Sequence, residues 1–112
     1  MAFTVVVCTH DRASSLERTL DALLAAQAPS EAVDILVIVN ACSDGTTGML
    51  QRRFGGHTRH ALRWLEEPVP GKSSALNCAI AALHAETAVF VDDDQRVAED
   101  FLVNMERALA AY

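Results

Sequence analysis

The sequence predicts an α/β fold, in which a parallel, Rossmann-like sheet of about four strands carries helices on both faces. Valine- and isoleucine-rich runs at residues 3–8 and 34–39 are typical of strands buried on two faces. Segments with helical periodicity separate such runs, so that strand and helix alternate four times along the chain. Ligands bind beyond the carboxyl ends of strands in such sheets, and we therefore expect functional residues directly after each apolar run.

Each element has its own signal. The first helix is predicted to start in a capping box formed by Ser14 and Glu17. A shorter helix is predicted at residues 46–54, a strand at 62–65 and a buried strand at 88–91. The apolar stripes that predict the other helices are Leu16, Leu20, Leu23 and Leu24; Leu76, Ala79, Ile80 and Leu83; and Phe101, Leu102, Met105 and Leu109.

Length and composition favour one globular domain over residues 1–112. The residues are 51% hydrophobic and 21% charged, the balance of a chain that can bury a core. The net charge of -6 argues against nucleic acid as a partner, because a nucleic-acid-binding surface needs clustered Lys and Arg. The same charge means that a phosphate-bearing ligand needs a local cation or a helix N-terminus.

Cysteine usage and the N-terminus give two further expectations. Cys8, Cys42 and Cys78 are odd in number and widely spaced, so neither a disulfide framework nor a zinc site is expected. Residues 1–7 carry no basic leader and are too few for a signal sequence or a membrane span. We predict a cytoplasmic chain without a transmembrane segment, from a parent protein that can be membrane-associated.

Three consecutive carboxylates form the strongest functional signal. Asp92, Asp93 and Asp94 come directly after the last apolar run, at the edge of the sheet where ligands bind. Like charges this close repel each other unless a proton is retained or a divalent cation neutralises them. Mg²⁺ and Mn²⁺ prefer such oxygen ligands, so the motif predicts a metal site. The alternative is a solvated acidic turn.

A polar cluster follows the first strand at the same edge. Thr9, His10 and Asp11 are suited to contact a base or ribose, and Arg12 can offset phosphate charge or form a salt bridge. The alternative for His10 and Asp11 is a turn followed by a helix cap.

Two more clusters follow the second and third strands. Asn40 is suited to hydrogen-bond a nucleobase, whereas Asp44 is as well suited to cap the next helix as to contact a ligand. Lys72, at the start of a helix, suits a diphosphate. Gly71, Lys72 and Ser73 also resemble the end of a P-loop, but that motif needs a glycine where this chain has Glu66.

The order of these clusters resembles that of the family-two inverting glycosyltransferases of GT-A fold. Residues 9–12 match the family's Thr-Tyr-Asn-Arg. Residues 40–46 match the part of the family's Asp-Asn-Gly-Ser-x-Asp-Gly-Thr that follows its first acid. Residues 71–77 match Gly-Lys-x-x-Ala-Leu-Asn, and residues 92–94 match the DxD motif. The resemblance covers the chain from Phe3 to Leu102. The chain departs from the pattern at Val39, where the family commonly has an acid.

The resemblance implies a function and a role for each cluster. It implies that Thr9 and the end of the second strand hold the base, and that Lys72 and Asn77 line the nucleotide pocket. It further implies that Asp92 and Asp94 serve the ribose and the metal-bound diphosphate, with Asp94 as the main metal ligand. The expected donor is a nucleoside-diphosphate sugar, a UDP-sugar first of all, and the expected cofactor is Mg²⁺ or Mn²⁺.

The acceptor and the catalytic base are not identified by the sequence. Inverting members of the family place the general base in a later, acceptor-binding segment, and we expect this chain to be truncated before it and inactive by itself. A non-catalytic nucleotide-sugar-binding module is the alternative, and a P-loop-like nucleoside triphosphatase is a weaker one.

Overall fold

The computed structural model describes residues 2–111. Its elements are β1 (Thr4–Thr9), α1 (Ala13–Ala25), β2 (Asp34–Asn40), α2 (Thr46–Phe54), β3 (Ala61–Glu67), α3 (Lys72–Ala81), β4 (Ala88–Phe90) and α4 (Phe101–Ala110).

The four strands form one parallel sheet in the order β3-β2-β1-β4. Every residue of the central strand β2 is buried, and so is β1 apart from the partly buried Cys8. This burial on two faces explains why both strands are continuous apolar runs. The predicted α/β fold with a parallel sheet is confirmed.

Helices cover both faces of the sheet, as predicted. Val5 and Val7 point to one face and pack in a core with residues of α1, α2 and α4. Val6 points to the other face and packs against Ala75 and Ala79 of α3. Alternate residues of β1 therefore contribute to two separate cores.

The predicted capping box at the start of α1 is wrong. The helix begins at Ala13, and no side chain of α1 or of Arg12 caps it. Instead the Ala13 amide donates to Oδ2 of Asp44, 3.2 Å away in the loop after β2. Glu17 pairs with Arg53 of α2. The cap comes from a residue distant in sequence, and a local pattern cannot reveal such a partner.

The predicted apolar stripe of α3 is partly wrong. Ala75 and Ala79 are its buried residues, whereas Ile80 is 61% exposed. The helix turns its small side chains to the sheet, which lets it lie close to Val6, Leu36 and Ile38. Of the predicted stripe, Ala79 is buried as expected and Leu83 packs against the same core, whereas Ile80 faces away from the sheet.

The prediction of a buried strand at residues 88–91 also needs correction. β4 ends at Phe90, pairs with β1 and lies at the edge of the sheet. Phe90 is 53% exposed, and Val91, just past the strand, is buried. A short apolar run does not distinguish an edge strand from a central one, because both satisfy the same local pattern.

Candidate functional site

The carboxyl ends of all four strands lie at one edge of the sheet because the strands are parallel. The four polar clusters of the sequence follow these ends, so the fold brings them to a common edge. The loops after β1, β2 and β4 and the start of α3 form this site, in the position where open α/β sheets bind ligands.

Asp93, the middle residue of the acidic motif, points into the protein. It is 4% exposed. Its Oδ2 accepts a hydrogen bond from Oγ1 of Thr9 at 2.8 Å, and its Oδ1 accepts one from Nη1 of the Arg12 guanidinium at 2.6 Å. The bond to Asp93 raises the pKa of Arg12. The Asp93 carboxylate therefore links the end of β4 to the end of β1, and its charge is paired with that of the Arg12 guanidinium.

The backbone of Asp93 is held as well. Its carbonyl oxygen accepts from Oγ of Ser15 at 3.0 Å and from Oγ1 of Thr19 at 2.8 Å, both on α1. Arg96, just beyond the motif, donates to the same two hydroxyls. The acidic loop is thus fixed to the first turns of α1 by hydrogen bonds on both sides.

Asp92 and Asp94 have the opposite orientation and are exposed. Oδ2 of Asp94 lies 4.0 Å from the Arg12 guanidinium, which partly offsets its charge. Within residues 2–111 these two carboxylates do not belong to a preformed set of three metal ligands. Two free carboxylates with open surroundings fit Mg²⁺ or Mn²⁺, since Mg²⁺ commonly takes one or two protein carboxylates and completes its shell with phosphate and water.

A pocket of about 330 Å³ lies between β1, β2 and the start of α3. Thr9, His10, Asn40, Gly71 and Lys72 contribute to its walls. Lys72 is the first residue of α3, where the helix N-terminus also presents its free amides. Gly71, before the helix, has a φ of 118°, a left-handed conformation that suits glycine.

Asn40 is buried and shapes this pocket through its side-chain amide. Nδ2 donates to the carbonyl oxygens of Glu67 at 3.2 Å and Val69 at 2.8 Å, and Oδ1 accepts from the Gly71 amide at 3.1 Å. Both amide hydrogens are therefore used to hold the loop after β3. A ligand base meets at most the remaining lone pair of Oδ1.

Glycosyl transferase family 2 has a family model that matches residues 4–111 of the chain. The chain belongs to this family. No curated protein sequence matches it significantly. The resemblance predicted from the four motifs is confirmed, and family membership argues against the P-loop alternative.

Solved structures agree with this assignment, and 46 chains match. The mannosyltransferase PcManGT of Pyrobaculum calidifontis, in complex with GDP-mannose and Mn²⁺, is 32% identical, with a TM-score of 0.87 over 97% of this chain and 32% of its own. TarS of S. aureus, as residues 1–349 with UDP, is 20% identical, with a TM-score of 0.76 over 98% of this chain and 31% of its own. The chain thus spans about a third of the length of these proteins, and TarS shows the shared fold alone.

In this family 2 chain, seven predicted site residues lie outside the pocket walls, namely Asp11, Arg12, Asp44, Asn77, Asp92, Asp93 and Asp94. Asn77 is exposed on α3. Oδ2 of Asp44 accepts from the Ala13 amide, and Oδ1 accepts from the Thr46 amide at 3.1 Å, so this carboxylate joins the starts of α1 and α2. Its position agrees with the helix-capping alternative.

Sequence reasoning missed the hydroxyls that fix the acidic loop. Ser15 and Thr19 stand four residues apart on α1 and so share one face of the helix. Thr19 is fully buried, a polar residue among leucines. That spacing was the available signal, although it does not identify the carbonyl that both hydroxyls contact.

In the described part of the chain, no helix is long and apolar enough to cross a membrane.

Proposed function

We propose that this chain is the donor-binding part of an inverting glycosyltransferase that takes a nucleoside-diphosphate sugar together with Mg²⁺ or Mn²⁺. The observation that carries the proposal is the division of the acidic motif. Buried Asp93 fixes the loop, while Asp92 and Asp94 are exposed beyond the end of β4. A solvated acidic turn does not need such an anchor.

The proposed metal ligands are Asp94 and Asp92, with Asp94 the main one. Both offer carboxylate oxygens, and Arg12 lies near Asp94 without covering it. A bound ion of this kind supplies Lewis-acid stabilisation to the departing diphosphate. The bond between Arg12 and Asp93 keeps the guanidinium at the same edge, where its charge also favours phosphate.

We assign the nucleotide to the pocket between Thr9, His10 and Lys72. The amino group of Lys72 and the N-terminus of α3 present positive charge to a diphosphate. This local charge matters because the chain as a whole carries a net charge of -6. A UDP-sugar is our predicted donor, and the GDP-mannose bound by PcManGT makes the guanine nucleotide the first competitor to test.

A non-catalytic nucleotide-sugar-binding module is the second candidate. One observation favours it: two further carboxylates at this edge, Asp11 and Asp44, are engaged in hydrogen bonds with backbone amides. Both carboxylates thus have a structural role in holding the loops after β1 and β2. The two candidates share the donor site and differ in whether an acceptor lobe, with its own base, accompanies this domain.

Calorimetric titration tests the shared donor site. UDP, GDP, UDP-GlcNAc and GDP-mannose are titrated into the chain with Mn²⁺, with Mg²⁺ and with EDTA. We expect at least tenfold weaker binding of the preferred nucleotide in EDTA, because the exposed carboxylates then repel its phosphates.

The variant Asp94→Asn should reproduce the effect of EDTA even when Mn²⁺ is present. Glu99→Gln is the matched control. This exposed acid precedes α4, and its carbonyl oxygen accepts from the amide of Gln27, which lies just beyond the C-terminal end of α1. Equal nucleotide affinity with Mn²⁺ and with EDTA would contradict the metal assignment.

A further inference from the structure

A second group of metal-ligating side chains lies at the ends of β1 and β2. His10, Asp11 and Cys42 each place one ligand atom within 4.8 Å of the other two. We refer to these three residues as the β1–β2 cluster. We propose that the β1–β2 cluster binds zinc, or another divalent transition metal that accepts sulfur and nitrogen ligands, at a site separate from Asp92 and Asp94.

The ring of His10 is oriented as a metal ligand. Its Nδ1 lies 2.8 Å from the carbonyl oxygen of Asn40. A carbonyl oxygen can only accept, so Nδ1 carries the proton in this bond, and Nε2 of the neutral ring keeps a free lone pair. Metal-ligating histidines are commonly held in this way, with the second nitrogen donating to a carbonyl or carboxylate.

The carboxylate of Asp11 is held by backbone amides. Its Oδ1 accepts from the amides of Ser43 at 2.7 Å and Asp44 at 3.1 Å. The Ser43 bond, foremost, lowers the pKa of Asp11, so the carboxylate is ionised at neutral pH. Its Oδ2 accepts a longer bond from the Ser43 hydroxyl at 3.3 Å and lies 3.6 Å from Nε2 of His10.

The sulfur of Cys42 completes the group. It accepts a hydrogen bond from the Asp11 amide at 3.3 Å, which holds the sulfur beside the Asp11 backbone. As a thiol it lies 3.7 Å from the Thr9 carbonyl oxygen and 3.8 Å from that of Asn40. Metal binding would form a metal–sulfur bond and release the thiol proton to solvent.

The separations fit a tetrahedral ion. Typical zinc–nitrogen, zinc–oxygen and zinc–sulfur bonds place neighbouring ligand atoms about 3.3–3.6 Å apart. The distance of 3.6 Å between Nε2 of His10 and Oδ2 of Asp11 already meets this value. The remaining pairs lie within 4.8 Å, so the sulfur of Cys42 has to move about 1 Å closer for a bound ion to contact all three atoms. Solvent would supply the fourth ligand.

The ligand types distinguish this site from the proposed Mg²⁺ or Mn²⁺ site at Asp92 and Asp94, while His10 also lines the proposed nucleotide pocket. Thiolate and imidazole ligands suit zinc, whereas carboxylate oxygens suit Mg²⁺ and Mn²⁺. The expectation from the sequence that the chain has no zinc site rested on spacing along the chain, and Cys42 is 32 positions from His10. The parallel pairing of β1 with β2 brings these residues together, which local spacing does not report.

Titration with Zn²⁺ in the absence of nucleotide tests the proposal. The measurement uses the Asp94→Asn background, which removes the oxygen-ligand site, and competition with a chromogenic chelator gives stoichiometry and affinity. Co²⁺ serves as the spectroscopic probe, because only sulfur ligation produces a sulfur-to-cobalt charge-transfer band. We expect one equivalent bound, the band present, and no displacement by Mg²⁺.

Two ligand variants and one control complete the test. Cys42→Ser should abolish the band and weaken zinc binding at least tenfold, and His10→Gln should weaken it similarly. Cys78→Ser, at another partly buried cysteine on α3, should leave both unchanged. Equal zinc affinity in Cys42→Ser, or no cobalt–sulfur band in the parent chain, would overturn the proposal. Neither result bears on Mn²⁺-dependent nucleotide binding, which is measured separately.

Discussion

Asp92, Asp93 and Asp94 have the same side chain, but Asp93 is buried whereas its two neighbours are exposed. They lie in a turn in which the Gln95 amide donates to the Asp92 carbonyl oxygen at 3.1 Å, and the sequence does not predict which of the three side chains faces inward. That choice depends on Thr9 and Arg12, which are more than 80 positions away along the chain. The acidic motif is therefore visible in the sequence, whereas its division into an anchor and two exposed groups is not.

The anchor role gives a prediction for stability. Asp93→Asn removes the charge opposite Arg12 and weakens two hydrogen bonds in a buried position, so we expect it to lower the free energy of unfolding by about 1–3 kcal/mol. Asp92→Asn, the adjacent exposed control, should change it by less than about 0.5 kcal/mol. Urea unfolding of both variants measures the difference. Similar stabilities for the two would show that Asp93 is not an anchor.

Lys72 gives a prediction for binding. Lys72→Ala should weaken nucleoside diphosphate binding about tenfold and leave thermal melting unchanged, because the side chain is exposed and contacts the ligand in our proposal. Arg107→Ala on α4 removes the same charge far from the pocket and should leave binding unchanged. Calorimetry and melting curves report the two effects separately. A steep loss of stability with unchanged affinity would instead mean a structural role for Lys72.

At the scale of elements, α3 shows where periodicity fails. Its large apolar residues predicted a buried stripe that includes Ile80, yet Ala75 and Ala79 face the sheet. Small side chains allow close packing and add little to a hydrophobic pattern, so the sequence signal was weak where the contact is closest. Helices α1 and α4 were also predicted from apolar stripes, and Leu20 and Leu102 of those stripes are indeed buried.

Because of this packing, larger side chains should destabilise α3 only on the face that contacts the sheet. Ala79→Leu inserts extra volume against Val6 and Leu36, and we expect it to destabilise the protein by about 1–3 kcal/mol. Ile80→Ala on the exposed face should cost far less, although it changes the side chain by the same number of atoms. Chemical denaturation of the two variants provides the comparison. If Ile80→Ala were the more damaging change, the orientation of α3 would be incorrect.

The hydrogen bonds of Glu106 on α4 make the stability of the protein depend on pH. Glu106 accepts from the Glu31 amide at 3.0 Å, from the Ser30 amide at 3.0 Å and from the Ser30 hydroxyl at 2.9 Å. These bonds, that of Glu31 foremost, lower the pKa of Glu106. A carboxyl whose pKa is lowered by folding stabilises the protein above its unfolded pKa, about 4.3 for glutamate. That stabilisation is lost as the pH falls through the folded pKa.

We therefore expect wild type to be more stable than Glu106→Gln at neutral pH, with the difference shrinking below about pH 4.3. Urea midpoints of the two proteins between neutral and acidic pH measure it. A difference that grew on acidification would have the wrong sign for a lowered pKa and would contradict the assignment.

At the scale of the whole molecule, the sequence determined the location of the site better than its contacts. The fold class and the alternation of elements predict that polar residues after parallel strands meet at one edge. The sequence does not predict the strand order β3-β2-β1-β4. This order sets the distances between the polar clusters along that edge. Asn40 and Asp44 show the limit: both lie at the predicted edge, and both use their polar atoms to hold loops and helices.

The strand order also bears on catalysis. Deprotonation of an acceptor hydroxyl needs a base held within about 3 Å of it. Glu66 and Glu67 end β3, while Asp92 and Asp94 follow β4, so the full width of the sheet separates the two pairs. Three strand spacings amount to roughly 14 Å. Glu66 is, moreover, hydrogen-bonded to the Thr47 hydroxyl at 2.7 Å. Neither glutamate can reach an acceptor positioned at the proposed metal site.

We therefore predict that this chain by itself binds nucleotide and transfers no sugar. Glu99 and Asp100, the acids that precede α4, favour the dipole at the start of that helix and need no catalytic explanation. The test supplies the purified chain with several nucleotide-sugars, Mn²⁺ and a broad panel of acceptors, with calorimetric nucleotide binding as proof that the site is intact. Slow donor hydrolysis by water is compatible with the prediction. Robust glycoside formation would mean that a residue of this chain acts as the base.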